Sequence, residues 1–121
     1  MIPEAVIELI DRSIQSIWAL ELLLFLRHHA GEAWSLDQLQ AELRASRSVV
    51  TGVLPPLIAE GLIAQSDDGR LHYGAAAPAD ALVRELERLY RERPVSVIRE
   101  IALIPSRRIQ RLADAFKFRK D

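Results

Sequence analysis

Apolar residues recur along this chain in two rhythms, and the changes between them mark the expected elements. Val6, Ile7, Leu9, Ile10 and Ile14 follow Pro3 at roughly helical spacing, which predicts a short amphipathic helix within residues 1–15. From Ser16 to about His29 the rhythm saturates: Ile17, Trp18, Leu20, Leu22, Leu23, Leu24, Phe25 and Leu26 are apolar nearly all round. Such a helix must be covered on more than one side. Gly31 in "AGEAW" sits near its C-terminal cap. In "SLDQ", Ser35 and Gln38 have the spacing of a capping box, and Leu36, Leu39 and Leu43 set the inner face of a helix running to about Arg44. A tight turn at Ala45 leads to Ser46, a second N-cap. Val50, Val53, Leu54, Leu57 and Ile58 keep helical register from there to Gly61. The period then shortens, with "LIAQS" and "RLHY" joined by "DDG", a strong hairpin signal.

Beyond the hairpin, "GAAAPADA" reads as a linker into a helix from about Pro78 to Arg93, with Leu82, Val83, Leu86, Leu89 and Tyr90 as its stripe. Pro94 starts another helix, with Val95, Val97, Ile98, Ile101 and Ala102 apolar, which Pro105 is expected to stop. Ser106 then caps a last helix carrying Ile109, Leu112, Ala113 and Phe116 at i, i+3, i+4, i+7.

Pro55 and Pro56 disturb this reading, because each removes a bond to the carbonyl four residues back, Thr51 or Gly52, and crowds it, at roughly 3 kcal/mol or more. The residue before a proline also resists helical geometry. A bent helix, or two short helices meeting near Leu54, is therefore expected, with Gly52 giving the backbone room to open.

The 121 residues fit a single domain, 1–121, divided into an N-terminal helix (1–15), a core (16–74) and a C-terminal helical extension (78–121). Half the residues are hydrophobic but few aromatic, the composition of a folded helical protein. With no cysteine, disulfides and thiolate metal sites are excluded; His28, His29 and His72 form no H-E-x-x-H pattern, and neither a metal nor a cofactor is expected. The start "MIPEAVIELI" lacks a basic signal region, and "IWALELLLFL" is too short to span a bilayer, so a cytoplasmic protein without membrane contact is expected.

Residues 16–74 contain "WSLDQLQAELRASRSVVTGVLPPLIAEGLIAQSDDGRLHY": a capped helix, a three-residue turn, a helix ending in "LIAEGLI", and a hairpin. This stretch resembles the winged helix-turn-helix superfamily of bacterial transcription regulators, such as the MarR, PadR and GntR groups. The resemblance implies a mainly α fold with a small β-hairpin wing, with extra N-terminal and C-terminal helices. It implies double-stranded DNA as partner, its major groove read by the N-terminal turns of the third helix while the wing touches backbone or minor groove. Carried over by position, the implied contacts are Arg44, Arg47, Ser48 and Thr51, with Arg70 on the wing.

Charge divides the chain. Residues 1–83 hold 5 basic and 11 acidic side chains, a balance of −6, whereas residues 84–121 hold 11 and 6, a balance of +5. The basic footprint that DNA binding calls for is thus C-terminal: Arg107, Arg108 and Arg111 open the last helix, with Lys117, Arg119 and Lys120 beyond, and they are expected as supplementary phosphate contacts. Asp67 and Asp68 at the wing tip repel phosphate, and Gly52, Pro55, Pro56 and Ala59 offer no donor. That outer face suits a protein partner equally, so the alternative function is a winged-helix interaction module, an adaptor or antirepressor. Surplus apolar faces on the terminal helices point to a homodimer. Enzyme motifs are absent: there is neither a Gly-rich phosphate loop nor a nucleophile elbow.

Overall fold

The structure, a computed structural model, describes residues 1–119, with side chains to residue 115. The expected positions Phe116, Lys117, Arg119 and Lys120 lie outside the described side chains. The element order is α1 (Glu4–Ser13), α2 (Ile17–His28), α3 (Leu36–Leu43), α4 (Arg47–Ala59), β1 (Ile63–Gln65), β2 (Leu71–Tyr73), α5 (Ala79–Glu92), α6 (Pro94–Ala102) and α7 (Ile104–Arg119). The fold is thus mainly helical with one small antiparallel hairpin.

Side-chain caps set the helix starts. Ser16 accepts from the Ala19 N–H at 3.2 Å and opens α2. Ser35 and Gln38 form the expected reciprocal box at 3.1 and 2.8 Å. Ser46 accepts from Val49 at 3.2 Å and opens α4. Between α3 and α4 the turn is made by Arg44 in the left-handed region, at φ 54°.

Helix α2 is buried through Ala19, Leu20, Leu22, Leu23, Leu24 and Leu26, and packs on α3, α4 and β2. Helix α4 also meets α1, and α1 in turn meets α5 and α6, so the terminal helices join the same core as the central ones. Leu62 and Ile63 at the base of the hairpin and Leu71 beside its turn are all buried. Its register pairs Ile63 with Tyr73, Ala64 with His72 and Gln65 with Leu71. Gly69, at φ +87°, turns the tip, where Ser66 donates to the Arg70 carbonyl at 2.8 Å. Trp34 adds a single bridge on the other side of β2, exchanging two 2.8 Å bonds with Leu71.

Two expectations are corrected. Of the two forms expected for α4, a bent helix or two helices meeting near Leu54, the second is overturned: one continuous helix runs from Arg47 to Ala59 with both prolines inside it. Its inner face explains this: Val50, Leu54 and Leu57 are buried on either side of the prolines, at about 1.5–3 kcal/mol each. Together they match two proline penalties of about 3 kcal/mol each. The carbonyls left without partners belong to Thr51 and Gly52, both exposed, where water can satisfy them.

The second correction is at Pro105, which neither stops α6 nor precedes a Ser106 cap: α6 ends at Ala102, α7 begins at Ile104, and Pro105 is its second residue. A first-turn proline forfeits only an N–H that has no intrahelical partner, and the buried Ile104 anchors the start. Ile109 and Leu112 on the stripe of α7 are 68% and 59% exposed.

Candidate nucleic-acid interface

The N-terminal turn of α3, the start of α4 and the hairpin tip lie side by side. They bring Arg47, in the first turn of α4, and Arg70, on the hairpin, to one open groove of about 370 Å³ that Ser35 and Gln65 also line. Asp37 and Asp68 line it too. Arg47 donates to Asp37 at 3.3 Å, and Arg70 approaches Asp68 at 3.7 Å while its backbone N–H donates to the same carboxylate at 3.0 Å. Each of these two cations therefore has an anionic neighbour. Both pairs are solvent-exposed, and exposed pairs contribute about 0–1 kcal/mol, so they orient the guanidinium groups without locking them.

The other sequence-derived positions differ in what they offer. Arg44, at the α3–α4 corner with a left-handed backbone, is exposed and has no ion pair among the described residues. The Ser48 hydroxyl is exposed 3.2 Å from that of Ser46. Thr51 donates its hydroxyl to the helix backbone, 2.9 Å from the Arg47 carbonyl and 3.3 Å from that of Ser48. It retains acceptor capacity only.

The C-terminal arginines do not join this groove as a cluster. Arg107 donates to Asp11, to the Glu100 carboxylate at 3.0 Å and to the Glu100 carbonyl at 2.8 Å. Arg111 reaches the other oxygen of Asp11 at 3.2 Å. These two arginines fasten α7 to α1 and α6. Arg108 is exposed, with no ion pair among the described residues.

A polar chain ties the hairpin to the C-terminal helices. The Tyr73 hydroxyl donates to Asp80 at 2.6 Å; Arg27 lies 3.7 Å from Asp80 and donates to Glu87 at 2.6 Å; His28 meets the other Glu87 oxygen. Burial, and then the bond to Asp80, push the Tyr73 phenol well above its usual range. The same bond holds the Asp80 carboxyl below its ordinary value, with Arg84 and Arg27 adding to the effect.

Sequence reasoning found Arg47, Arg70 and the acidic wing tip at Asp68, but not the pairing of Arg47 with Asp37. Asp37 in the first turn of α3 reads as a favourable charge at a helix N-terminus. Asp11 is 96 residues from Arg107, and the Arg27–Glu87 pair spans 60, so no local spacing marks them. Among the described residues no cluster of three or more metal-ligating side chains occurs, and no helix is long and apolar enough to cross a membrane. No protein-family model, curated protein or solved structure matches the chain.

Proposed function

We propose that the chain is a winged helix-turn-helix protein that binds double-stranded DNA, acting as a transcription regulator without enzymatic activity. Helices α2, α3 and α4 with the hairpin form the reading unit in this scheme, α4 lies in the major groove, and the hairpin is the wing. The observation that carries the reading is the convergence of Arg47 and Arg70, from the start of α4 and from the hairpin, on one exposed groove. Ser48, next to Arg47 in α4, and Arg44, at the end of α3, are also exposed. Phosphate outcompetes an exposed carboxylate for such a guanidinium because it forms equally good bidentate bonds and releases condensed counterions.

Binding to the DNA upstream of its own coding region and to a scrambled duplex, across a salt series, tests this reading. Sequence-dependent binding with a steep salt slope, weakened by Arg44→Ala with Arg47→Ala, is expected. Equal and weak binding to both duplexes by a folded protein refutes it.

A second reading, a protein-interaction module, rests on the outer face of α4, where Ile58 is 37% exposed next to Ala59 and one turn from Pro55. Pro55→Lys, which leaves the buried face untouched, distinguishes the two: it abolishes partner capture under the second reading and spares DNA binding at the first turns of α4 under the first.

A further inference from the structure

Helices α6 and α7 share one apolar seam, and it faces away from their own chain. Val95, Ile98, Ala102, Pro105, Ile109 and Leu112 follow one another at alternating spacings of three and four residues, the heptad rhythm with which one helix seats another. All six are exposed. Helical phase carries through the junction, because Leu103 keeps right-handed geometry, donates its N–H to the Arg99 carbonyl at 3.0 Å and accepts from the Arg107 N–H at 2.9 Å. The opposite side is the one the body holds: Val97, Ile101 and Ile104 are buried, and Arg107 and Arg111 meet Asp11 of α1. Four of the eight large apolar side chains exposed among the described residues belong to this seam, so it is a patch and not scattered surface.

Charge selects what covers it. Arg99 flanks the seam on one side and Arg108 on the other, and no flanking position between 94 and 115 carries a carboxylate. Both arginines are exposed, with no ion pair among the described residues. Glu100 and Asp114 fall seven residues either side of Arg107, in its inward-facing phase; Glu100 is bound to Arg107 at 3.0 Å and Asp114 accepts from Gln110 at 3.2 Å. A second copy laid along the seam would bring arginine and no carboxylate to the contact, whereas opposite charge at flanking positions is what selects a partner helix.

We propose that the seam docks an acidic amphipathic helix of another protein, apolar where it meets Ile98, Ile109 and Leu112 and carrying glutamate or aspartate where it passes Arg99 and Arg108. Apolar burial supplies the affinity, and the two arginines select acidic helices over basic ones. The surface shares no residue with Arg44, Arg47 and Arg70 or with the Pro55 face of α4, so its failure leaves the DNA reading standing, and the converse holds.

The probe is a labelled peptide of about three heptads with leucine at the seam positions and glutamate at the flanking ones; its twin carries lysine for glutamate, and like charges keep each from pairing with itself. Fluorescence anisotropy with the full chain at moderate salt is expected to show saturable binding of the acidic peptide, at least about tenfold tighter than its lysine twin. Arg99→Glu with Arg108→Glu reverses that order. Ile109→Asp with Leu112→Asp, on exposed positions, abolishes binding with unchanged circular dichroism and melting temperature. No saturable binding of the acidic peptide, equal binding of the two peptides, or a preference that survives the arginine substitutions would each overturn the proposal. A dimer in light scattering that Ile109→Asp with Leu112→Asp separates would overturn it and assign the seam to a second copy. Binding to phosphatidylglycerol vesicles that the same pair abolishes, without binding of the acidic peptide, would overturn it and assign the seam to a lipid surface.

Discussion

Gly52→Ala separates what α4 needs for folding from what it offers for binding. Gly52 is an interior residue of α4, is exposed, has no left-handed φ, and an added Cβ meets nothing within 4 Å. The methyl therefore adds no strain, while the unfolded chain loses the excess freedom of glycine. The expected gain is about 0.8–1 kcal/mol. For a domain of this length that raises the melting temperature by about 3–6 °C. In urea, with a slope of about 1–3 kcal/mol per molar, the midpoint rises by about 0.3–1 M at unchanged slope. Far-ultraviolet circular dichroism through a urea titration measures it. An unchanged or lower midpoint at constant slope refutes the reasoning: it would mean that the Gly52 carbonyl, deprived of the Pro56 N–H, tilts into a geometry that alanine resists. DNA affinity measured on the same protein adds a second axis. If the duplex backbone approaches α4 closely one turn beyond Ser48, affinity falls while stability rises, a combination that damage to the fold cannot produce.

Asp37→Asn frees Arg47 and removes one negative charge from the groove, so DNA affinity at low salt should rise about threefold to tenfold; unchanged binding in a filter or polarisation assay argues that Arg47 does not face phosphate. Tyr73→Phe deletes the hydrogen bond to Asp80, at about 0.5–1.5 kcal/mol of stability by denaturant titration. In a carbon-detected NMR titration the Asp80 carboxyl, held down chiefly by that bond, moves back up toward its ordinary range. Because its folded value is depressed, the stability Asp80 contributes is present above the unfolded carboxylate pKa of about 4 and is lost as pH falls through the lower, folded value; Tyr73→Phe flattens that acid limb. Arg107→Ala removes the bonds to Asp11 and Glu100 and should lower amide-exchange protection in α7 while sparing α2.

Local chemistry made much of this fold readable. The caps at Ser35 and Ser46, the Gly61 and Gly69 turns and the change of period after Leu62 each act within a few residues, and each appears where the pattern places it. The misreadings came where tertiary burial overrides local preference. Propensity breaks α4 at Pro55, but Leu54 and Leu57 on the buried face hold it together; propensity ends α6 at Pro105, yet Ile104 is buried and a first-turn proline is harmless. The candidate interface was legible as a set of cations beside an acidic wing tip, and not as a set of long-range pairings. Asp37 lies 10 residues from Arg47 on another helix, and Asp11 lies 96 from Arg107. Pairings that distant depend on how helices dock. The orientation of α7 was unreadable for the same reason: a stripe identifies an apolar face but not the body it meets.

The hairpin is held at both ends of its short strands. Tyr73, at the base, donates to Asp80 in the first turn of α5, and Leu71, beside the turn, is buried and exchanges two 2.8 Å bonds with Trp34. Arg70 is therefore one residue, about 3.4 Å of chain, beyond an anchored position, and its backbone has little room to swing. Flexibility at this site belongs to the guanidinium and its long side chain, so a duplex would meet a hairpin already in place and would order one side chain there in place of a loop.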